Sequence, residues 1–279
     1  MVVLQATVVN RHGELVTNLE RDAFRVREDG KPQAIALFGR DDVPVSLGIL
    51  IDNSGSMRSK RQKVEAAALA FVRASNPQDE VFVMNFADEP HLDVPLTTDI
   101  HQLEAGIARA DAIGGTAMRD AVTAAVDYLT AHATKDRRAL LVVTDGQDNA
   151  SVAPMNVVRR KIERSNTVVF AIGLLADEGV AQASKARSEL EECAVPSGGR
   201  ALFPEQLDDI HATVLEIAHQ LRSQYTIAYA PRNQALDGTY RRVDVDVRDH
   251  GRLTVRTRAG YMASAETAVV PPRLPVRRR

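Results

Sequence analysis

Pro44-Val45-Ser46-Leu47-Gly48-Ile49-Leu50-Ile51, followed at once by Asp52-Asn53-Ser54-Gly55-Ser56-Met57, is the stretch that decides the fold. Its first half is almost continuously apolar. A strand with one wet face alternates, so an unbroken run of this length reads as a strand buried on both faces of a parallel sheet. Its second half turns abruptly to carboxylate, amide, hydroxyl and glycine, the composition of a tight loop. The same sequence of events recurs downstream. Ala139-Leu140-Leu141-Val142-Val143-Thr144 is a second apolar strand, and Asp145-Gly146-Gln147-Asp148-Asn149 follows it. Thr167-Val168-Val169-Phe170-Ala171-Ile172 is a third.

Helical patterns lie between these runs, at 63–74, 100–110, 117–131, 154–164, 184–193 and 206–222. Further strands are expected at 80–86 and 200–203. Apolar strands separated by helices define an α/β class with a doubly wound, mostly parallel, Rossmann-like sheet.

Outward from this middle section the pattern becomes β. Residues 1–9 read as a strand, and Asn10-Arg11-His12-Gly13 as a turn. Phe24-Arg25-Val26-Arg27-Glu28 alternates, Asp29-Gly30 is a hairpin signal, and 33–38 is the expected return strand. After the last helix, 225–230 is a strand, and Val243, Val245 and Val247 alternate with Asp244, Asp246 and Arg248. Asp249-His250-Gly251 turns the chain before 253–256. Neither end is long enough to hold a core alone. Together they supply about seven strands, so the expectation is an α/β domain inserted into a small β-sandwich formed by the N- and C-terminal segments. The expected division is 1–42 and 224–263 for the sandwich, 43–223 for the α/β domain, and 264–279 for a flexible basic tail.

Composition excludes several functions. Of 279 residues, 35 are Lys or Arg and 37 Asp or Glu, giving a net charge of −2. No basic field points to nucleic acid. Trp is absent, which argues against an aromatic stacking platform, and one Cys precludes an internal disulfide or a Cys-rich zinc site. No run approaches the roughly 18 apolar residues of a membrane span, and the first residues read as a strand instead of an export signal.

Chemistry gathers after the apolar strands. In an open α/β sheet, functional groups collect beyond the carboxyl ends of strands at the switch point of strand order. If the first two apolar strands are neighbours there, Asp52, Ser54, Ser56, Thr116 and Asp145 converge, with Gly114-Gly115 preceding Thr116. Two carboxylates and three hydroxyls form an all-oxygen set suited to a hard divalent cation such as Mg²⁺ or Mn²⁺. Two carboxylates only balance a divalent ion, so it would remain able to accept a carboxylate oxygen from a partner.

Asp52-x-Ser54-x-Ser56, the Gly-Gly-Thr ending at Thr116, and Thr144-Asp145-Gly146 together resemble the metal-ion-dependent adhesion site of von Willebrand factor type A domains. All five positions are present in order, and the resemblance covers roughly residues 43–222. It implies that Ser54 and Ser56 ligate a metal directly, that Asp52 and Asp145 do so directly or through water, and that Thr116 exchanges with water between binding states. The flanks, Asp22-Ala23-Phe24-Arg25-Val26-Arg27-Glu28-Asp29-Gly30-Lys31-Pro32-Gln33 before and Gln224-Tyr225 with Gly260-Tyr261 after, resemble bacterial proteins of acidobacterial type carrying such a domain. That likeness implies an extracytoplasmic or secreted setting.

The expected function is therefore a non-catalytic adhesion or recognition module that captures an Asp or Glu of a protein partner, with no nucleic acid and no membrane span. The alternatives are an assembly or scaffold subunit with a structural metal, and a metal-dependent hydrolase. The hydrolase reading is weakened because the three motifs contain no His or Glu to act as general base. Arg58, Lys60 and Arg61 read as the solvated start of a helix, with attraction of acidic partners as the other reading. Asp148 and Asn149 read as loop residues, an outer role around the site being the alternative. Cys193 is expected to be a buried structural thiol, and Glu189, Glu191 and Glu192 a solvated face. The helix at 206–222 runs almost directly into the strand at Tyr225, which predicts coupling between the site and the sandwich.

Overall fold

The two longest apolar runs pair with each other in the middle of a central sheet. The computed structural model describes residues 1–108, 113–248 and 252–264. The first end of the chain supplies β1 (Val2–Val9), β2 (Phe24–Glu28), β3 (Lys31–Gln33) and β4 (Ile35–Gly39). The middle runs through β5 (Val45–Asp52), α1 (Arg61–Ala74), β6 (Glu80–Phe86), β7 (Pro90–Thr97), α2 (Ile100–Ile107) and α3 (Met118–His132). It continues with β8 (Arg137–Thr144), α4 (Met155–Ser165), β9 (Thr167–Gly173), α5 (Val180–Ala194), β10 (Arg200–Leu202) and α6 (Ile210–Arg222). The last section supplies β11 (Tyr225–Tyr229), β12 (Tyr240–Val247), β13 (Thr254–Arg256) and β14 (Gly260–Met262).

The central sheet has the order β10-β9-β8-β5-β6-β7, parallel except for the antiparallel edge strand β7. From β5 the chain moves outward through β6 and β7, then returns to β8 on the other side. The switch point therefore lies between β5 and β8, as the doubly wound reading requires. Every residue of β5 is buried, which is why the run carries no alternation. Ile49 and Ile51 pack with Phe71 of α1 and Ile217 of α6 on one face. Leu50 packs with Phe82, Val122 and Val126 on the other, beneath α3 and α4. At Gly48 a Cβ would lie 2.3 Å from Phe82 Cζ and 2.5 Å from Leu140 Cδ2, so close packing on that face excludes any side chain.

Both ends of the chain meet in two four-stranded sheets, β13-β1-β11-β4 and β14-β12-β2-β3. Their shared core includes Leu4 and Ile227 from the first, with Phe24, Val26, Val243 and Val245 from the second. The antiparallel register sets Val26 opposite Val245, so the inward positions of both strands face the same core. Tyr225 Oη accepts from Leu19 N at 3.0 Å and donates to Val16 O at 2.8 Å, pinning the long connection after β1.

Several details depart from the sequence reading. The expected return strand at 33–38 is two strands: β3 closes the hairpin with β2, while β4 pairs with β11 in the opposite sheet. Crossing between sheets lets a short segment serve both layers, giving eight strands where about seven were expected. Strand β7 was not anticipated, because Pro90, His91 and Asp93 suit a half-exposed edge. Helix α5 starts a turn before 184, and a 3₁₀ turn at Leu207–Asp209 precedes α6. The end of the helix expected at 100–110, the turn at 249–251, and the tail beyond 264 lie outside the described residues.

Arg137, at the start of β8, joins the two crossings between the α/β section and the sandwich. Its guanidinium donates to Val43 O at 3.0 Å, Leu221 O at 2.8 Å and Gln224 Oε1 at 2.5 Å. Gln224 Nε2 in turn reaches Thr7 Oγ1 of β1 at 3.2 Å. Burial pushes the Arg137 guanidinium down to about 10, against the pull of Asp79 and Asp42, and leaves it charged at neutral pH.

Candidate metal centre

Because β5 and β8 are parallel neighbours with Ile51 opposite Val143, their ends deliver Asp52 and Thr144-Asp145 side by side. Beyond Asp52 the chain closes into a 3₁₀ turn at Gly55–Ser59, anchored by the buried Met57. Ser54 N donates to Asp52 Oδ1 at 2.8 Å, and Thr144 Oγ1 donates to Asp52 Oδ2 at 2.5 Å. Ser54 Oγ lies 3.1 Å from Ser56 Oγ, which donates to Asp145 Oδ1 at 2.8 Å. Four of the five expected residues thus form one continuous cluster.

Thr116 stands beside them. Gly55 N donates to Gly114 O at 3.2 Å, joining its loop to the serine loop. Its own backbone is held by Asn149: Thr116 N donates to Asn149 Oδ1 at 2.8 Å, and Asn149 N donates to Thr116 O at 3.0 Å. No side-chain bond joins Thr116 to the other four among the described residues. Asp88 Oδ1 accepts from Gly115 N at 2.7 Å and shapes the glycine pair from below.

Asp52 and Asp145 are fully buried, Ser54 and Thr116 nearly so, and only Ser56 is exposed. The cluster therefore opens to solvent through one hydroxyl. Burial pushes the Asp52 carboxyl up to about 6 despite hydrogen bonds from Thr144 and Ser54, and the neighbouring Asp145 charge adds to the rise. A buried carboxylate in that condition gains from a nearby cation.

The residues present fit a small hard cation. Adjacent ligands of an octahedron with Mg²⁺-like bonds sit about 2.9 Å apart, whereas the longer bonds of Ca²⁺ spread them to roughly 3.3 Å or more. The 2.8 Å between Ser56 and Asp145 matches the smaller figure, and the 3.1 Å between Ser54 and Ser56 lies between the two. Among the described residues no group of three or more His, Cys, Asp or Glu could cage a metal, so the hydroxyls are essential to this donor set.

Two basic residues are placed differently from expectation. Lys60 and Arg61 are buried instead of forming a solvated helix start, and only Arg58 is exposed. Lys60 Nζ lies 2.7 Å from Asp145 Oδ2 and 3.6 Å from Asp177 Oδ2. Arg61 is bonded to Glu65 Oε1 at 2.7 Å, Asn53 Oδ1 at 3.0 Å and Ile107 O at 3.0 Å. Asp145 and Glu65 offset the charge that would otherwise oppose the helix dipole.

Asn149 has the outer, positioning place, and Asp148 is a buried anchor for the start of α3. Asp148 accepts from Arg119 N at 2.8 Å and Ser151 Oγ at 2.7 Å. Burial raises its carboxyl, but bonds from Arg119 and Ser151 outweigh that and hold it below the usual carboxylate range. Glu191 and Glu192 are exposed as expected, whereas Glu189 is partly covered and its Oε2 has no partner among the described residues. Thr144, Lys60 and Asp88 were missed as supports. Thr144 carried a signal, since it lies between the apolar strand and Asp145.

Residues 47–147 match the family model of the von Willebrand factor type A domain. Solved structures share the fold. A von Willebrand factor type A protein from Catenulispora acidiphila is 16% identical over 86% of this chain and 73% of its own, with a TM-score of 0.56. The corresponding domain of the type V pili tip protein from Porphyromonas gingivalis is 14% identical over 64% of this chain and 95% of its own, with a TM-score of 0.55. Proximal thread matrix protein 1 from the mussel byssus, with a zinc-occupied MIDAS motif, is 18% identical over 65% of this chain, with a TM-score of 0.54. This chain spans 48% of that protein's length. No curated protein matches the chain. No helix among the described residues is long and apolar enough to cross a membrane.

Proposed function

We propose that this chain is a non-catalytic binding module that captures an Asp or Glu of a protein partner through a divalent cation at Asp52, Ser54, Ser56, Thr116 and Asp145. The observation that carries this reading is the exposed Ser56 hydroxyl linked directly to buried Ser54 and Asp145. A cation held there, Mg²⁺ or Mn²⁺, would supply Lewis-acidic positive charge to an incoming carboxylate oxygen. Thr144 holds the Asp52 carboxylate, Lys60 holds Asp145, and Asn149 holds the Thr116 backbone. Lys60 also changes the charge balance. It already offsets one carboxylate, so a divalent ion would leave the site net positive and favour an anionic partner group. Ile113, 66% exposed and bonded through its N to Asn53 O, offers an apolar rim beside the site. The zinc-occupied motif described for the mussel thread protein supports a metal here by analogy of fold.

A second reading has its own observation. The Lys60–Asp145 pair already neutralises one site carboxylate, as suits an assembly or scaffold subunit in which a metal is structural and partner binding does not run through it. Selection of a displayed random-peptide library on the protein in Mg²⁺ separates the two. Capture predicts enriched peptides sharing an Asp or Glu, with binding lost in EDTA and in Asp145→Ala. Peptides without a common carboxylate, or binding unchanged by EDTA, would favour the scaffold.

A further inference from the structure

At the opposite end of the sheet from the metal site, a groove of about 610 Å³ lies between the ends of α3 and α4 and the β13–β14 connection carrying Arg258. Lys135, Arg138, Arg160, Lys161, Arg164 and Arg258 line it, against only Asp127 and Asp136. The chain as a whole has a net charge of −2, so this concentration is local.

The compensation available is too small. Lys161 pairs with Asp127, which removes one charge of each sign. The C-terminal ends of α3 and α4 contribute about half a negative charge each. Glu80 faces Lys135 from outside the groove, so against six cations these acids and helix ends leave an excess of roughly two positive charges. Lys135, Arg138 and Arg164 have no ion pair and no side-chain hydrogen bond among the described residues. Arg258 is committed by Nη1 to Asn166 Oδ1 at 2.6 Å and by Nη2 to Val3 O at 3.0 Å, while its buried Nε has no acceptor. Burial pushes the Arg258 guanidinium down to about 10 and lowers that of Arg138. Asp136 offsets only part of that effect at Arg138.

Guanidinium groups present planar donor forks that suit oxyanions, and several along one groove suit linked oxyanion groups better than a single carboxylate. The volume falls in the range of small-molecule sites, and Val126, Ala133 and Val157 add an apolar wall. We infer that this groove binds a small ligand carrying two or more phosphate groups. Arg258 bridges Val3 of the sandwich and Asn166 of the α/β section, so the ligand would sit at the junction of the two. The inference is independent of the metal reading.

The test is calorimetric titration of the full chain in EDTA with inorganic pyrophosphate and, separately, adenosine triphosphate, at on the order of 0.1 M salt. Saturable binding is expected, weakened about tenfold or more in Arg138→Gln/Arg164→Gln. Tighter binding of the nucleotide would assign a role to the apolar wall, and equal binding would locate recognition in the phosphates; both support the site. Should the double variant fail to fold, Arg160→Gln/Arg164→Gln alters only exposed side chains of α4 and serves instead. Absence of binding by both probes, or binding that a folded variant leaves unchanged, would overturn the inference.

Discussion

Lys60 Nζ and Asp145 Oδ2 are 2.7 Å apart, with 9% of the lysine side chain and none of the aspartate side chain exposed. A charged pair this deep is costly to break, because the remaining charge keeps its desolvation penalty. Lys60→Met should destabilise the chain in EDTA by about 3 kcal/mol, read by chemical denaturation. Added Mg²⁺ should recover more stability in this variant than in wild type, since the unpaired Asp145 would be freer to bind it. An unchanged denaturation midpoint would mean that the pair contributes nothing.

Arg137 makes the corresponding contact at the other end of the sheet. It bonds the carbonyls of Val43, on the β4–β5 connection, and of Leu221, in the last turn of α6 just before β11. Arg137→Ala should cost roughly 3 kcal/mol by removing buried charge-assisted bonds. Hydrogen exchange should rise in the last turn of α6 and the first residues of β5, with little change in β12. Uniform exchange throughout would show that Arg137 does not couple these regions.

Glu80 makes stability depend on acid. Burial opposes its ionisation, but bonds from Ser46 and Thr134 win and hold its carboxyl below the usual glutamate range. A group depressed in the folded state contributes stability that is present above the unfolded value and lost as pH falls through the folded one. Wild type should therefore lose stability below about pH 4.5, and Glu80→Gln should flatten that slope. Thermal melts from neutral pH to acid provide the comparison.

Cys193 is buried, and burial, reinforced by nearby Glu192 and Glu189, pushes its thiol up to about 12. The thiolate is the reactive form. Iodoacetamide at mildly alkaline pH should leave native protein unlabelled and modify it fully in denaturant. Rapid native labelling would contradict this placement.

The sequence disclosed those parts of the fold that depend on burial from both sides. Strands β5, β8 and β9 are nearly pure apolar runs because they sit inside the sheet, so the strands and the loops after them could be read directly, while the adjacency of β5 and β8 stood only as a condition. Strand β7 could not, since an edge strand bears polar side chains and a proline without penalty. The division into β3 and β4 was hidden because a single residue separates them and only tertiary pairing sends them to different sheets. Asp52, Ser54, Ser56 and Asp145 could be grouped from the sequence because they sit on loops that follow apolar strands, whereas Thr116 was marked by the glycine pair before α3. Lys60 was not, because a lysine at a helix start reads as solvated until its buried partner is known. The holding role of Asn149 on Thr116 likewise depends on two loops meeting far apart in the chain.

Metal binding at Asp52 and its neighbours is the claim on which the functional reading depends. The direct measurement is calorimetric titration of the full chain with Mg²⁺, and separately with Mn²⁺, for wild type and Asp52→Ala. The account predicts saturable one-to-one binding by wild type, and none by the variant at the same concentrations. No saturable heat with either ion in folded wild type would contradict it.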